Sequence, residues 1–402
     1  MENKNNVVAE QCYECNACLV SCPTNAITIE RNDLGMGYAK IEKSKCIGCG
    51  ICKKICPCYN ENVKVLPMKS YAAVSKNTQA IKSTSGGVFL ELALEILKEG
   101  GVVIGAAYDQ NWNVKQTAVY QEKDICKLQG SKYVKSDVVD SYEVTYKLLK
   151  QNRKVLYSGT PCQIGGLQMY IKESKLKMNL FTVDIICHGT PTNSFFKSYL
   201  ELIEKKKNKK IIDFSFRSKE YGHRHIGTYT LTNGRKQKET PLYSSESSYY
   251  SFFLQSLTYN EICYSCKYAC KERVGDITLG DFWGVRDEIP LFFENNNLSE
   301  DNSVSAVMIN TKNGEKLFNK VKNKLIVVEA NYEMITNHNP RLNRPSSCDK
   351  NTRRILLDIY KTSGYFAVEK FFKRNSGFKK YLLRISCHIP SIMKKRLRRV
   401  LR

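Results

Sequence analysis

Eight cysteines near the N-terminus carry the clearest chemistry in the chain. They read Cys12-x2-Cys15-x2-Cys18-x3-Cys22-Pro23 and, after a spacer, Cys46-x2-Cys49-x2-Cys52-x3-Cys56-Pro57. Thiolates are soft ligands. This spacing wraps one loop around three irons of a [4Fe–4S] cube, while the fourth cysteine of each run serves the other cube. One cluster is therefore assigned to Cys12, Cys15, Cys18 and Cys56, and a second to Cys46, Cys49, Cys52 and Cys22. Two zinc sites are the competing reading. Zinc sites usually show paired C-x2-C units rather than triplets that end in Cys-Pro, so the doubled, complete run favours iron. Cys58 follows the second Cys-Pro and is surplus.

A second group of residues lies further on. Cys162 and Cys187 each follow a short apolar run, Lys154 to Tyr157 and Leu180 to Ile186, expected to be buried strands. In α/β sheets the carboxyl ends of strands are where sites form. Cys263-x2-Cys266-x3-Cys270 sits in an expected loop. These thiols form either a third cluster site or two structural thiols beside half a zinc hairpin. The stretch Ser83-Thr84-Ser85-Gly86-Gly87 precedes the apolar run Val88 to Lys98. It reads as a capped core helix or as an anion site suited to a diphosphate. His188, His223, Arg224 and His225 are candidates for proton supply, and none is assigned a catalytic role.

The elements that must hold these residues alternate along the chain. Residues 12–66 form a two-cluster ferredoxin-type module, with a strand at Ala26 to Glu30 and a polar lead before it. A linker is expected from Val65 to Lys82. A helix over 88–98, a strand over 102–107, a helix over 140–151, a strand over 154–157, a helix over 165–171 and a strand over 180–186 follow. Next come a helix over 195–205 and strands near 211–217 and 226–232. Beyond these lie a strand over 306–310 and helices over 314–324 and 355–372. The fold class is thus an α+β ferredoxin module followed by an α/β core and a basic helical tail. Four segments are expected: 1–66, 67–150, 151–345 and 346–402.

The chain has 402 residues, enough for two or three cored domains, and 63 Lys and Arg against 39 Asp and Glu, a net charge of +24. Such charge suits an acidic redox partner or an anionic small molecule, and no nucleic-acid-binding motif accompanies it. Seventeen cysteines without an apolar leader point to a reducing cytoplasm, where thiols serve metals. Phe378 to Arg402 holds nine Lys or Arg and no acid, on an amphipathic pattern. This tail is expected to lie on anionic membrane at the inner face, to dock a partner, or to stay solvated.

Five motifs resemble the coenzyme F420 hydrogenase/dehydrogenase beta-subunit family. They are Ser83 to Phe89, Gly130 to Val134, Ser158 to Gln163, Asp184 to Gly189 and Asp276 to Gly284, over about residues 67–345. Cys187-His188-Gly189 and Asp281 to Gly284 resemble the bacterial branch. The resemblance implies an oxidoreductase with non-covalent FAD and a core [4Fe–4S] cluster on Cys162, Cys187, Cys263 and Cys266, making three clusters in all. Cys270 is then surplus. It also implies that the flavin lies by Ser83, Thr84, Ser85, Gly86 and Gly87, with Lys132 and Thr160 as neighbours. The implied activity moves electrons from a donor such as ferredoxin to a small anionic organic acceptor. A non-catalytic electron-transfer subunit and a coenzyme F420-linked reductase are the alternatives.

Overall fold

The structure, a computed structural model, describes residues 7–9, 11–221, 226–299 and 302–375. Its strands are β1 (Ile27–Arg31), β2 (Gly37–Ile41), β3 (Lys69–Ser75), β4 (Val102–Tyr108), β5 (Val114–Val119), β6 (Val155–Gly159), β7 (Leu180–Ile185), β8 (Lys210–Ser215), β9 (Ile226–Thr232), β10 (Gln237–Tyr243), β11 (Ile277–Asp281), β12 (Ser305–Ile309) and β13 (Leu325–Ala330). The chain divides into two units. The first comprises residues 1–193 and 259–347, and the second residues 194–258 and 348–402.

The first unit is organised by an eight-stranded sheet in the order β13-β3-β12-β11-β7-β6-β4-β5. Strands β4, β6, β7 and β11 pair in parallel, and β3 points the same way across the antiparallel β12. The parallel strands are short and rich in Val, Ile and Leu, the pattern of strands covered on both faces. Successive side chains alternate between two cores. Val102, Ile104, Val155 and Tyr157 enter one, whereas Val103, Leu156 and Val183 enter the other. The α/β expectation therefore holds, as a mixed sheet.

The cysteine-rich module packs on the first of these faces. Its two ligand runs flank the β1–β2 hairpin, in which Ile27 stands opposite Ile41. Short helices α1 (Ala17–Val20) and α2 (Ile51–Ile55) carry Cys18 and Cys52. Asn16 and Gly50, in the left-handed region, turn the chain into them. The opposite face of the sheet is covered by α3 (Val88–Lys98) and the helix Lys312–Val321. On the module's side lie α4 (Val139–Lys150) and α5 (Pro161–Tyr170). Tyr142 and Leu148 of α4 and Ile164 and Leu167 of α5 share one core with Tyr13, Cys15, Cys18, Ile55 and Cys56.

Two glycines of α5 make this contact close. A Cβ placed on Gly166 would lie 2.8 Å from the Cβ and 3.1 Å from the Sγ of Cys15, and one on Gly165 would lie 2.8 Å from Asn62 Oδ1. Glycine inside a helix costs about 0.5–1 kcal/mol relative to alanine. Here it lets a ligand loop lie against the helix backbone. Gly166→Val is expected to push the Cys15 loop off α5 and to destabilise the protein by about 1–3 kcal/mol. An unchanged urea midpoint together with unchanged iron content would show that the loop relaxes around the side chain.

The structure departs from the sequence reading at definite places. The expected linker over 65–82 contains β3, whose Ser70 to Val74 are all buried between β13 and β12. Helix α5 begins at Pro161, not at 165, because Thr160 precedes a proline at the first helical position and Gln163 closes a capping box. Strands β2, β5, β10, β11 and β13 were not expected. The helix expected over 355–372 spans Lys350–Arg374, with a break at Gly364 (φ 68°).

The second unit has its own sheet, β10-β9-β8, and an aromatic core. Phe196, Phe214, Phe216 and Tyr249 meet edge-on, tilted and stacked with ring centroids 4.9–5.7 Å apart. Tyr199 and Tyr365 join them. The basic tail from Phe378 to Arg402, and His223, Arg224 and His225, lie outside the described residues. Among the described residues no helix is long and apolar enough to cross a membrane.

Candidate functional site

The parallel strands deliver the singled-out motifs to one edge of the sheet. Ser83 to Gly87 follow β3, Thr160 and Cys162 follow β6, Cys187 follows β7, and Phe282 to Gly284 follow β11. This carboxyl edge is where open α/β sheets build their sites.

Four cysteines from three separate segments meet there. Cys162, Cys187, Cys263 and Cys266 line one cavity enclosing about 590 Å³, open solvent included. Tyr13, Lys135, Thr160, His188 and Arg341 complete parts of its wall. Burial pushes the Cys263 thiol up to about 11 and that of Cys266 to about 12, and raises Cys187 as well, the neighbouring thiols adding to the effect. Such thiols give up their protons to a soft metal centre rather than to water. Cys270 does not line the cavity; its thiol donates to the carbonyls of Lys267 and Glu272 at 3.4 and 3.3 Å.

A second cavity, of about 350 Å³, is lined by Cys12, Cys15, Cys18 and Cys56. The fourth cysteine of the second run thus lines the same cavity as the first three of the first run. Cys58 lines this cavity too, and the hydrogen bond from its side chain draws the Cys56 thiol down. Tyr13 lines both cavities, and its ring meets that of Tyr268 edge-on at 5.4 Å. The thiols stand around cavities rather than around a point. Among the described residues no three His, Cys, Asp or Glu side chains are grouped to hold a single metal ion.

The second run is placed differently. Every residue from Glu42 to Cys49 is exposed, Cys46 and Cys49 included, while Cys22 and Cys52 are half-buried. Ile47, between the two exposed cysteines, is 68% exposed. Lys43, Lys45, Lys53 and Lys54 surround the run, with Glu42 paired to Lys45 at 2.7 Å.

A buried ion pair ties the third segment to the sheet. Arg273 (2% exposed) donates to Asp184 (0%) at 3.2 Å, and also to the carbonyls of Tyr268 and Cys270. Asp184 Oδ1 accepts from Thr278 Oγ1, and Oδ2 from Gly275 N at 3.4 Å. Asp184 lies on β7 just before Cys187. The pair therefore fixes the Cys263–Cys270 loop relative to Cys187. Its arginine fork reaches two loop carbonyls and the carboxylate together, which a lysine could not do.

Around Cys162 the cap of α5 links two motifs. Gln163 Oε1 accepts from Thr160 N at 3.0 Å, and its amide donates to Ser136 Oγ at 2.8 Å and Ser136 O at 3.0 Å. Thr160 Oγ1 lies 3.1 Å from Cys162 Sγ. Of the residues singled out for a flavin, Thr160 alone lines the cysteine cavity.

The others form a separate group. Thr84 Oγ1 accepts from Ser131 N at 2.6 Å and Ser83 Oγ from Gln129 Nε2 at 3.1 Å, joining Ser83 and Thr84 to the Gly130–Lys132 turn. Lys132 Nζ donates to the carbonyls of Gln129 and Lys127 at 2.8 and 3.0 Å and lies 5.9 Å from the Tyr108 ring centre. Burial pulls its ammonium down to about 7. Ser85 and Gly86 face the sheet instead. Ser85 Oγ donates to Val304 O at 3.1 Å, and a Cβ on Gly86 would overlap Ala73 O. Gly87, at φ 85°, turns the chain into α3. Buried Glu91, bonded to Ser75 Oγ, already sits in the first turn of that helix.

Sequence reasoning passed over Tyr13, Lys135, Tyr268, Asp184 and Arg273 as working residues. Lys135 and Asp184 lay beside or inside quoted motifs. Arg273, three residues after Cys270, offered only its charge.

Residues 152–333 match the family model for the C terminus of the coenzyme F420 hydrogenase/dehydrogenase beta subunit, and residues 11–60 match a 4Fe-4S dicluster domain. A dihydromethanopterin reductase (acceptor) of Methanosarcina mazei is 35% identical over 97 residues, which is 23% of this chain and 38% of that protein. The chain thus spans well under half the length of that curated relative. A chain of the F420-reducing [NiFe] hydrogenase complex from Methanosarcina barkeri aligns with a TM-score of 0.42 and 18% identity, over 76% of this chain and 92% of that one. Residues 152–333 are thus similar to the C terminus of the coenzyme F420 hydrogenase/dehydrogenase beta subunit, and residues 11–60 match a 4Fe-4S dicluster domain.

Proposed function

We propose that the chain is an iron–sulfur flavoprotein oxidoreductase that takes electrons from a protein donor such as ferredoxin and delivers them to a small anionic organic acceptor. The observation that carries this reading is the meeting of Cys162, Cys187, Cys263 and Cys266 on one cavity, walled by the same Tyr13 as the Cys12–Cys18–Cys56 cavity. The donor set fits iron–sulfur clusters, because soft thiolates in fours select them. Cys12, Cys15, Cys18 and Cys56 would hold one cluster, Cys22, Cys46, Cys49 and Cys52 a second, and the cavity cysteines a third. Ser83, Thr84, Lys132 and Thr160 would face FAD, with Gly86 and Gly87 shaping the turn behind it. Bound there, the clusters supply one-electron transfer and the flavin supplies two-electron, hydride-type transfer.

The chain's own residues do the rest. The Asp184–Arg273 pair holds two cysteine-bearing segments in register. Tyr13, Tyr268 and Ile262 pack the cavity wall against water. Lys132 offers a positive charge to an anionic cofactor. The family and the curated relative support a reductase or dehydrogenase class; deazaflavin reduction is the runner-up activity. Anaerobic photoreduction followed by addition of single acceptors tests the reading. Reoxidation by an anionic metabolite is expected, and reoxidation by the deazaflavin alone would replace it with the runner-up.

One observation favours a second reading, an electron-transfer subunit serving a partner protein. The Glu42–Cys49 loop presents two ligand cysteines, Ile47 and the lysines Lys43 and Lys45 outward, a surface suited to an acidic redox protein.

Lys132 gives a pH test of the flavin assignment. Its ammonium is charged below about 7 and neutral above. FAD affinity is therefore expected to fall as pH rises through about 7. Lys132→Met should bind FAD more weakly at low pH, by about 1.5–3 kcal/mol or roughly 10–100-fold in Kd, and lose this pH dependence. Fluorescence titration with FAD checks it, and parallel pH profiles for both proteins would move the flavin away from Lys132.

A further inference from the structure

Lys135 stands at the wall common to two cavities. It lines the cysteine cavity with Cys162, Cys187, Cys263 and Cys266. It also lines a polar cavity of about 300 Å³ with Glu14, Asn16, Arg31 and Asp137. Its ammonium donates to the carbonyl oxygen of Tyr13 at 2.7 Å and to Cys162 Sγ at 3.8 Å. Tyr13 lies between Cys12 and Glu14 in the first ligand run, so one cation touches both the buried ligand loop and a thiol of the core set.

The position of this cation is fixed from behind. Lys135 N donates to Pro191 O at 2.9 Å, and its carbonyl accepts from Asn193 Nδ2 at 2.8 Å. The nearest acid in the first ligand run, Glu14, is paired to Arg31 at 3.1 Å and accepts from Asn260 Nδ2 at 2.5 Å. An ammonium is a compact charge with three donors, and inside protein its field is screened far less than in water. A cluster gains one negative charge when it takes up one electron. A positive charge beside one of its sulfurs stabilises that reduced form, and hydrogen bonds to the sulfurs act in the same direction.

We propose that Lys135 raises the reduction potential of a cluster held by Cys162, Cys187, Cys263 and Cys266, through its positive charge beside the Cys162 sulfur. The proposal rests on the core-cluster reading above. The step is a one-electron reduction in which the reductant loses one electron, the cluster gains it, and no bond or proton need move. Lys135 is a positioning and tuning residue rather than a catalytic one.

The test is an anaerobic dithionite titration of the reconstituted full-length protein, followed by electron paramagnetic resonance. The parent is compared with Lys135→Met, Lys135→Gln and Lys135→Arg. The core cluster should become harder to reduce in the Met and Gln variants and recover in Arg, while the exposed Cys46-run cluster keeps its potential in all four. Gln retains a donor for the Tyr13 carbonyl, so it reports the charge even where Met fails to hold iron. A parent-like core potential in Lys135→Gln, with full iron content, overturns the proposal. A parent with about eight irons per chain and no third signal overturns it together with the reading it rests on.

Discussion

Cys162→Ala and Cys263→Ala are each expected to lower the iron and acid-labile sulfide of the anaerobically reconstituted protein from about twelve to about eight per chain. A missing thiolate opens one iron of the cube. The two residues come from segments about a hundred positions apart in sequence yet line one cavity. Either change alone should therefore remove the same cluster, and the double variant should lose no more than each single one. Cys270→Ala, whose thiol is bonded to backbone carbonyls outside that cavity, should keep the full content. The clusters of residues 11–60 should keep their signals throughout. Iron that stays at about twelve in both single variants would remove these thiols from the ligand set.

The largest stability effect is expected at Asp184. Removing one partner of a buried pair leaves the other charge uncompensated, at a cost of about 3–5 kcal/mol. Asp184→Ala would strand Arg273, which is 2% exposed, and would also release Thr278 Oγ1 and Gly275 N. The urea midpoint should fall accordingly, at little change in slope. Because Arg273 also grips the carbonyls of Tyr268 and Cys270, the Cys263–Cys270 loop should loosen first. Core iron should then be lost at lower urea than iron from residues 11–60. Replacing both partners with apolar residues, Asp184→Leu with Arg273→Met, should recover part of the loss, since an apolar pair strands no charge. A single variant as stable as the parent would mean that water reaches Arg273.

How much of this was legible in the sequence follows from the range of the interactions. The ligand spacing of the first two runs is local, and Cys56 lines one cavity with Cys12, Cys15 and Cys18. The parallel strands β4, β6 and β7 announced themselves as apolar runs, whereas β11 did not. Strand β3 did not either. Its Lys-Ser-Tyr-Ala-Ala-Val-Ser sequence has small residues and little alternation, and it is a strand because β12 and β13 pair with it from more than 200 residues away. The Thr160-Pro161 start of α5 was readable from its cap and proline, yet the two glycines that follow obscured it. The second unit is split by the 259–347 segment of the first, a pairing that no local pattern encodes. The core cysteines were identified through a family resemblance. The structure adds why their segments converge, namely strand direction and the Asp184–Arg273 tie.

The contrast between the two ligand runs has a consequence for handling and lifetime. Cys15 and Cys18 are buried in the shared core beside α5, with Cys12 half-buried next to them, whereas Cys46 and Cys49 lie on an exposed loop with open space around Gly48 and Gly50. Dioxygen and chelators reach Cys46 and Cys49 without any opening of the fold, but reach Cys15 and Cys18 only through local unfolding. Damage in air is therefore graded: it begins at the outermost thiols, and the inner sites survive for as long as the fold around them stays closed.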